Sequence, residues 1–159
     1  MKKMISTGLI CLFFGFGIQQ SSAQSYNNAL GLGIDLGDGQ TLVGPQFKHF
    51  FDSDNAINAQ VLFGDNITTI GVDYSYNQKF AGTTLGWYVG VGPQLSFLNK
   101  KYAGDDNTYV AIRPAVGLEY KIPTVPLGFH FDWKPWWNLT NESDFEAGRF
   151  SIGFKYILN

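Results

Sequence analysis

Residues 149 to 158 read Arg-Phe-Ser-Ile-Gly-Phe-Lys-Tyr-Ile-Leu, and the apolar side chains Phe150, Ile152, Phe154, Tyr156 and Leu158 fall on every second position. Arg149, Ser151, Gly153, Lys155 and Ile157 occupy the positions between them. Alternation at period two describes a strand with one large apolar face and one polar face. Such a strand leaves an unpaired edge, and pairing that edge with the first strand of the chain closes a barrel.

The rest of the chain repeats this pattern seven times. The first segment sets Leu30, Leu32, Ile34 and Leu36 against Gly31, Gly33 and Asp35, and ends at Gly37-Asp38-Gly39, a hairpin signal. The second sets Val43, Phe47 and Phe51 against Gly44, Gln46 and Lys48, and the third sets Ile57, Ala59, Val61 and Phe63 against Asn58 and Gln60. The fourth presents Ile70, Val72, Tyr74 and Tyr76 opposite Thr69, Gly71, Asp73 and Ser75. In the fifth, Leu85, Trp87, Val89, Val91, Leu95 and Phe97 oppose Gly86, Tyr88, Gly90, Gly92, Gln94 and Ser96. Val110, Ile112, Val116, Leu118 and Tyr120 oppose Ala111, Arg113, Ala115, Gly117 and Glu119 in the sixth. The seventh is expected to run unbroken from Leu127 through Phe129, Phe131 and Trp133 to Trp137, against Gly128, His130, Asp132 and Lys134. Segments of ~9–11 residues and an even strand count suit a tilted strand crossing a bilayer.

A soluble eight-stranded barrel has the same period, so the outward face must be identified. Glycine identifies it. Gly31, Gly33, Gly44, Gly64, Gly71, Gly86, Gly90, Gly92, Gly117, Gly128 and Gly153 all fall on the polar face. The interior of a narrow barrel has room for small side chains, whereas the exterior of a soluble barrel gains little from glycine. The polar face therefore lines a lumen, and the uncharged apolar face, with Trp and Tyr for interfacial girdles, meets lipid. The expected fold is all-β, an eight-stranded antiparallel up-and-down transmembrane β-barrel over residues 24–159.

The lumen is then charged. Asp35, Asp73, Glu119 and Asp132 face Lys48, Arg113, Lys121, Lys134, Arg149 and Lys155. Unpaired buried charge is costly, so these side chains are expected to form a paired plug in which Arg113 and Glu119 share one network. His130 and Asp132 lie two apart on the lumen side, with Ser151 and Ser96 as conceivable nucleophiles, although a histidine satisfied inside the plug needs no catalysis. His49 has outward parity. Pro93, Pro114 and Pro135 are spaced by 21 residues, and a register in which Pro93 faces Pro114 and Pro114 faces Pro135 would align them as a row lacking N–H donors, a possible lateral gap. Val-Gly-Pro-Gln occurs at 43–46 and at 91–94, too short a repeat to prove duplication.

Lys2 and Lys3 precede an apolar run from Met4 to Ile18, followed by Ser21-Ser22-Ala23, so residues 1–23 read as a cleaved secretory signal peptide. The only cysteine, Cys11, lies within it, which leaves no disulfide framework or thiolate metal site. The chain carries a formal net charge of −2, and loss of Lys2 and Lys3 makes the remainder more acidic, so nucleic acid is not an expected partner. Neither a phosphate-binding loop nor metal-spaced His and Cys residues occur, and no cofactor is expected. Asn66, Asn138 and Asn141 begin glycosylation sequons by pattern only.

In its leader, its eight alternating segments and its aromatic-rich closing segment, the chain resembles the small OmpA/OmpX-type outer-membrane barrels of Gram-negative bacteria, especially the short barrel proteins common in Bacteroidetes. The resemblance implies outer-membrane lipid as surroundings, both termini in the periplasm, and recognition of Arg149 to Leu158 by the barrel-assembly machinery. It names no partner for the extracellular loops. It also leaves two function classes: a structural or surface-interaction barrel, or a lipid-modifying enzyme of the lipid A acyltransferase or deacylase type.

Overall fold

A computed structural model describes residues 26–99, 107–140 and 143–158, so the expectations placed on the leader, Cys11 and Asn141 lie outside the described residues. Ten strands form: β1 (Asn28–Gly37), β2 (Gln40–Phe50), β3 (Asn55–Phe63), β4 (Ile67–Lys79), β5 (Leu85–Leu98), β6 (Thr108–Lys121), β7 (Leu127–Trp133), β8 (Trp136–Asn138), β9 (Phe145–Glu146) and β10 (Phe150–Leu158). Each pairs antiparallel with its neighbours. The last pairs with the first, from Asn28↔Leu158 through Leu36↔Phe150. The result is a closed eight-stranded barrel in which β7 and β8 together make the seventh stave.

Local chemistry sets the turns. Asp38 and Gly39 both have positive φ, 50° and 70°, as a two-residue hairpin of type I′ requires, and Gly37 pairs directly with Gln40 across them. At the opposite end, the Asp52 carboxylate accepts the backbone N–H groups of Asp54 and Asn55, both at 2.8 Å. These bonds, with that from the Asn55 amide, hold the Asp52 carboxyl below the usual carboxylate range.

Proline shapes the wall. The β2–β3 register skips Gly44 and Pro45, between Val43↔Phe63 and Gln46↔Gln60. The β4–β5 register skips Gly92 and Pro93, between Gly71↔Gln94 and Tyr74↔Val91. A proline has no N–H to give the neighbour that this part of its backbone faces. The glycine before each proline serves a second need, because a Cβ at Gly44 or Gly92 would collide with the carbonyl oxygen of Val61 or Val72 on the adjacent strand. Both copies of Val-Gly-Pro-Gln thus build one local structure.

The seventh stave departs from the expected unbroken segment. It is interrupted at Lys134 and Pro135, and β9 adds a short hairpin to β8. The proline row also needs correction. Pro93 pairs with Ile112 and Pro114 with Val91, so the two are offset rather than opposite, and the β5–β6 ladder continues past both. Pro93 turns its missing N–H toward β4. Pro114 and Pro135 do lie opposite each other, in the gap between Val116↔Trp133 and Ile112↔Trp137. Pro135 is fully buried, although its parity is outward.

Apolar clusters close both ends of the lumen. Tyr26, Ala29, Phe50, Ala56 and Ile157 pack at the end that holds the start of β1. At the other, Trp136 reaches across to Leu42, Leu62 and Ile67.

Candidate functional site: the charged lumen

Strand alternation sends Lys48, Arg113, Arg149 and their partners inward, and the tight radius buries them. Arg113, Arg149 and Lys48 are the largest fully buried side chains among the described residues. Near the Trp136 end, Asp35 receives both arginines. Arg113 Nη2 lies 2.6 Å from Asp35 Oδ2, and Arg149 donates to Asp35 Oδ1 from Nε at 3.0 Å and from Nη2 at 2.6 Å. Arg113 also donates to Gln94 Oε1 at 3.0 Å and to the carbonyl oxygen of Lys134, at the break in the seventh stave. Both guanidiniums lie over the Trp136 ring, their Cζ atoms 5.2 and 3.9 Å from its centroid. Glu146 sits at the rim, 3.6 Å from Arg149.

A second cluster forms at the other end around Glu119. Lys48 Nζ is 2.8 Å and Lys155 Nζ 3.6 Å from Glu119 Oε2, the Tyr26 hydroxyl donates to Oε1 at 2.5 Å, and Lys48 also donates to Asn77 at 2.7 Å. Between the clusters, Lys134 pairs with Asp73, and Tyr88 donates its hydroxyl proton to Asp132. Arg113 and Glu119 therefore belong to separate clusters, contrary to the expected shared network. They lie on one strand, and six residues at ~3.3 Å per residue separate them by roughly 20 Å.

His130, Asp132 and Ser151 face the same stretch of lumen, and Ser151 pairs with Asp132 across β10 and β7. They form no relay. Asp132 is engaged by Tyr88, His130 Nδ1 has no hydrogen-bond partner, and no hydrogen bond joins the three to one another among the described residues. The space beside them measures about 20 Å³. His49 faces outward and its Nδ1 lies 2.8 Å from Asn28 Oδ1. No group of acidic, His or Cys side chains among the described residues could hold a metal ion.

No family model matches the sequence, and no curated protein matches it. Among solved structures, one from the de novo design of transmembrane β-barrels superposes with a TM-score of 0.62, covering 86% of this chain and 99% of that chain at 14% identity. The fold is a transmembrane-barrel fold. At that identity the likeness extends to backbone architecture alone.

Several groups central to this barrel's lumen escape a search for charge. Tyr26, Tyr88, Asn77, Gln94 and Trp136 each complete a bond or ring contact to a buried charge. Inward parity marks Tyr88, Gln94 and Trp136, while Tyr26 precedes the first strand and gives no such signal.

Proposed function

We propose that this chain is an integral outer-membrane β-barrel of a Gram-negative bacterium, of the OmpA/OmpX-like kind, with a closed lumen and a structural or surface-interaction role. The observation that carries this reading is the inversion of burial. Charged side chains fill the interior, while Leu30, Phe47, Val72, Val91, Leu118, Phe129, Phe131 and Phe154, on staves around the barrel, are each 38% exposed or more. A continuous apolar surface around a polar interior is stable in hydrocarbon, where the barrel satisfies its own backbone, and is a large liability in water. Aromatic rings support it. Tyr74, Tyr120 and Tyr156 face outward near the end that holds the start of β1, and Trp133 and Trp137 face outward near the other.

In this reading the signal peptide exports the chain, both termini are periplasmic, and β10 is the segment the assembly machinery engages. The lumen does not conduct, because the charge clusters and the two apolar ends fill it. The lipid-modifying alternative draws on the wall interruption at Pro114 and Pro135. The space of about 20 Å³ beside His130 counts against it, being far too small for an acyl chain. Expression in a Gram-negative host should give an outer-membrane protein with heat-modifiable gel mobility, an unchanged lipid A mass spectrum and no steady conductance in planar bilayers. A monodisperse protein that stays soluble without detergent would overturn the assignment.

A further inference from the structure

The β1–β2 ladder runs one pair beyond β1 itself, to the bond from the Phe50 N–H to the Asn27 carbonyl at 2.8 Å. There the chain leaves the wall. Leu30 faces outward, so strand alternation would send Tyr26 outward too, yet Tyr26 is 6% exposed and joins the apolar cluster across the mouth of the lumen. Its ring meets the Phe50 ring edge-on, 5.1 Å between centroids. Its hydroxyl reaches β6, three staves round the wall by way of β10 and β7, and donates to Glu119 Oε1 at 2.5 Å. The other members of the cluster are held in the wall: Ala29 pairs with Ile157, and Ala56 with Phe50. Tyr26 lies outside every strand, so it can leave without breaking a ladder.

We propose that Tyr26 is a latch: Tyr26 and Asn27 form a strap over the mouth at the start of β1, the bond to Glu119 holds it shut, and its release admits water to the Lys48–Glu119–Lys155 cluster while the wall stays closed. Glu119 shows why the bond matters. Lys48 and Lys155 lie 2.8 and 3.6 Å from its Oε2, and Oε1 takes the Tyr26 hydroxyl. A buried carboxylate oxygen needs a donor, and a phenol supplies one while its ring keeps solvent out. With the strap displaced, water takes the place of the phenol on Oε1. Trp136 and its neighbours still close the other end, so release makes a hydrated vestibule rather than a channel. The latch rests on the reading of the lumen as closed.

The test reads the access of a neutral, water-soluble methanethiosulfonate to a cysteine set inside the latch. With Cys11 replaced by Ser, an introduced cysteine is the only one in the full chain. Ser75 is 1% exposed and accepts from Asn77, the partner of Lys48, so Ser75→Cys reports on the space just inside the mouth. Ser96 is 3% exposed and pairs with Thr69 toward the Trp136 end, so Ser96→Cys reports on the far part of the lumen. In the refolded barrel both cysteines should resist the reagent, and adding Tyr26→Ala should speed modification at position 75 by about tenfold or more while position 96 stays protected. An unchanged rate at position 75 would overturn the latch and leave the closed lumen standing. Acceleration at both positions would overturn it as well, because it would reflect general loosening. Rapid modification at position 75 with Tyr26 in place would overturn the closed lumen together with the latch. Should Tyr26→Ala fail to refold, Tyr26→Phe, which keeps the ring and deletes the donor, should speed modification at position 75, and an unchanged rate there counts against the latch.

Discussion

Asp35 and Arg149 stand 114 positions apart in the chain, yet Arg149 Nε and Nη2 both donate to one oxygen of Asp35, while Arg113 takes the other. One carboxylate thus holds two guanidiniums in the lumen and ties β1 to β6 and to the residue just before β10. Replacing Asp35 by Ala leaves Arg113 without its ion-pair partner and Arg149 with only Glu146 at the rim, 3.6 Å away, and breaking a buried pair in this way costs about 3–5 kcal/mol. Adding Arg149→Met should recover part of the loss. Urea unfolding of the refolded barrel, followed by tryptophan fluorescence, measures the cycle, and strictly additive losses would remove Asp35 from its central place.

Separation of the two charge clusters gives a contrasting cycle. Arg113 and Glu119 share no partner, so losses from Arg113→Met and Glu119→Gln should add to within about 0.3–0.5 kcal/mol. Lys48 and Glu119, 2.8 Å apart, should show clear coupling in the same assay. Coupling between Arg113 and Glu119 as large as that between Lys48 and Glu119 would mean that the lumen acts as one network.

Outward and inward positions should respond to different insults. Phe131 faces outward, 51% exposed, and Phe131→Arg should cost ~2–4 kcal/mol if it lies near the bilayer midplane. The checks are heat-modifiable mobility and recovery in the membrane fraction. Normal behaviour in both would show that this face does not meet lipid.

Glycines on the lumen side should split into two groups. At Gly92 a Cβ would strike the Val72 carbonyl and the Asp73 backbone, so Gly92→Ala should destabilise by roughly 1–3 kcal/mol, as overpacking does. At Gly128 the nearest atom is 3.7 Å away, and Gly128→Ala should be neutral or stabilising by about 0.4–1 kcal/mol through the unfolded chain. Equal effects at the two sites would contradict the close approach of β4 and β5.

The wall should open most readily where its ladder is interrupted. Amides flanking Pro114 and Pro135 should exchange hydrogen faster than those of β1 from Leu30 to Leu36, which pair without a break on both sides. Uniform protection around the barrel would show that the interruption at Pro114 and Pro135 does not loosen the wall.

Alternation by itself determined the strands, their faces and the inward set of charges, because side-chain direction in a strand depends on parity alone. Asp-Gly at 38–39 was likewise legible, since a two-residue hairpin needs positive φ at both positions. Parity carries no information about height in the barrel, however. Height depends on the stagger between strands, which places Arg113 beside Asp35 and Glu119 beside Lys48, and which offsets Pro93 from Pro114 by two residues. The break at Lys134 and Pro135 was hidden for a related reason. A proline's missing donor matters only toward the neighbour its backbone faces, and closure of the sheet decides which neighbour that is. The chain itself states which residues face inward; only the closed sheet states which of them meet.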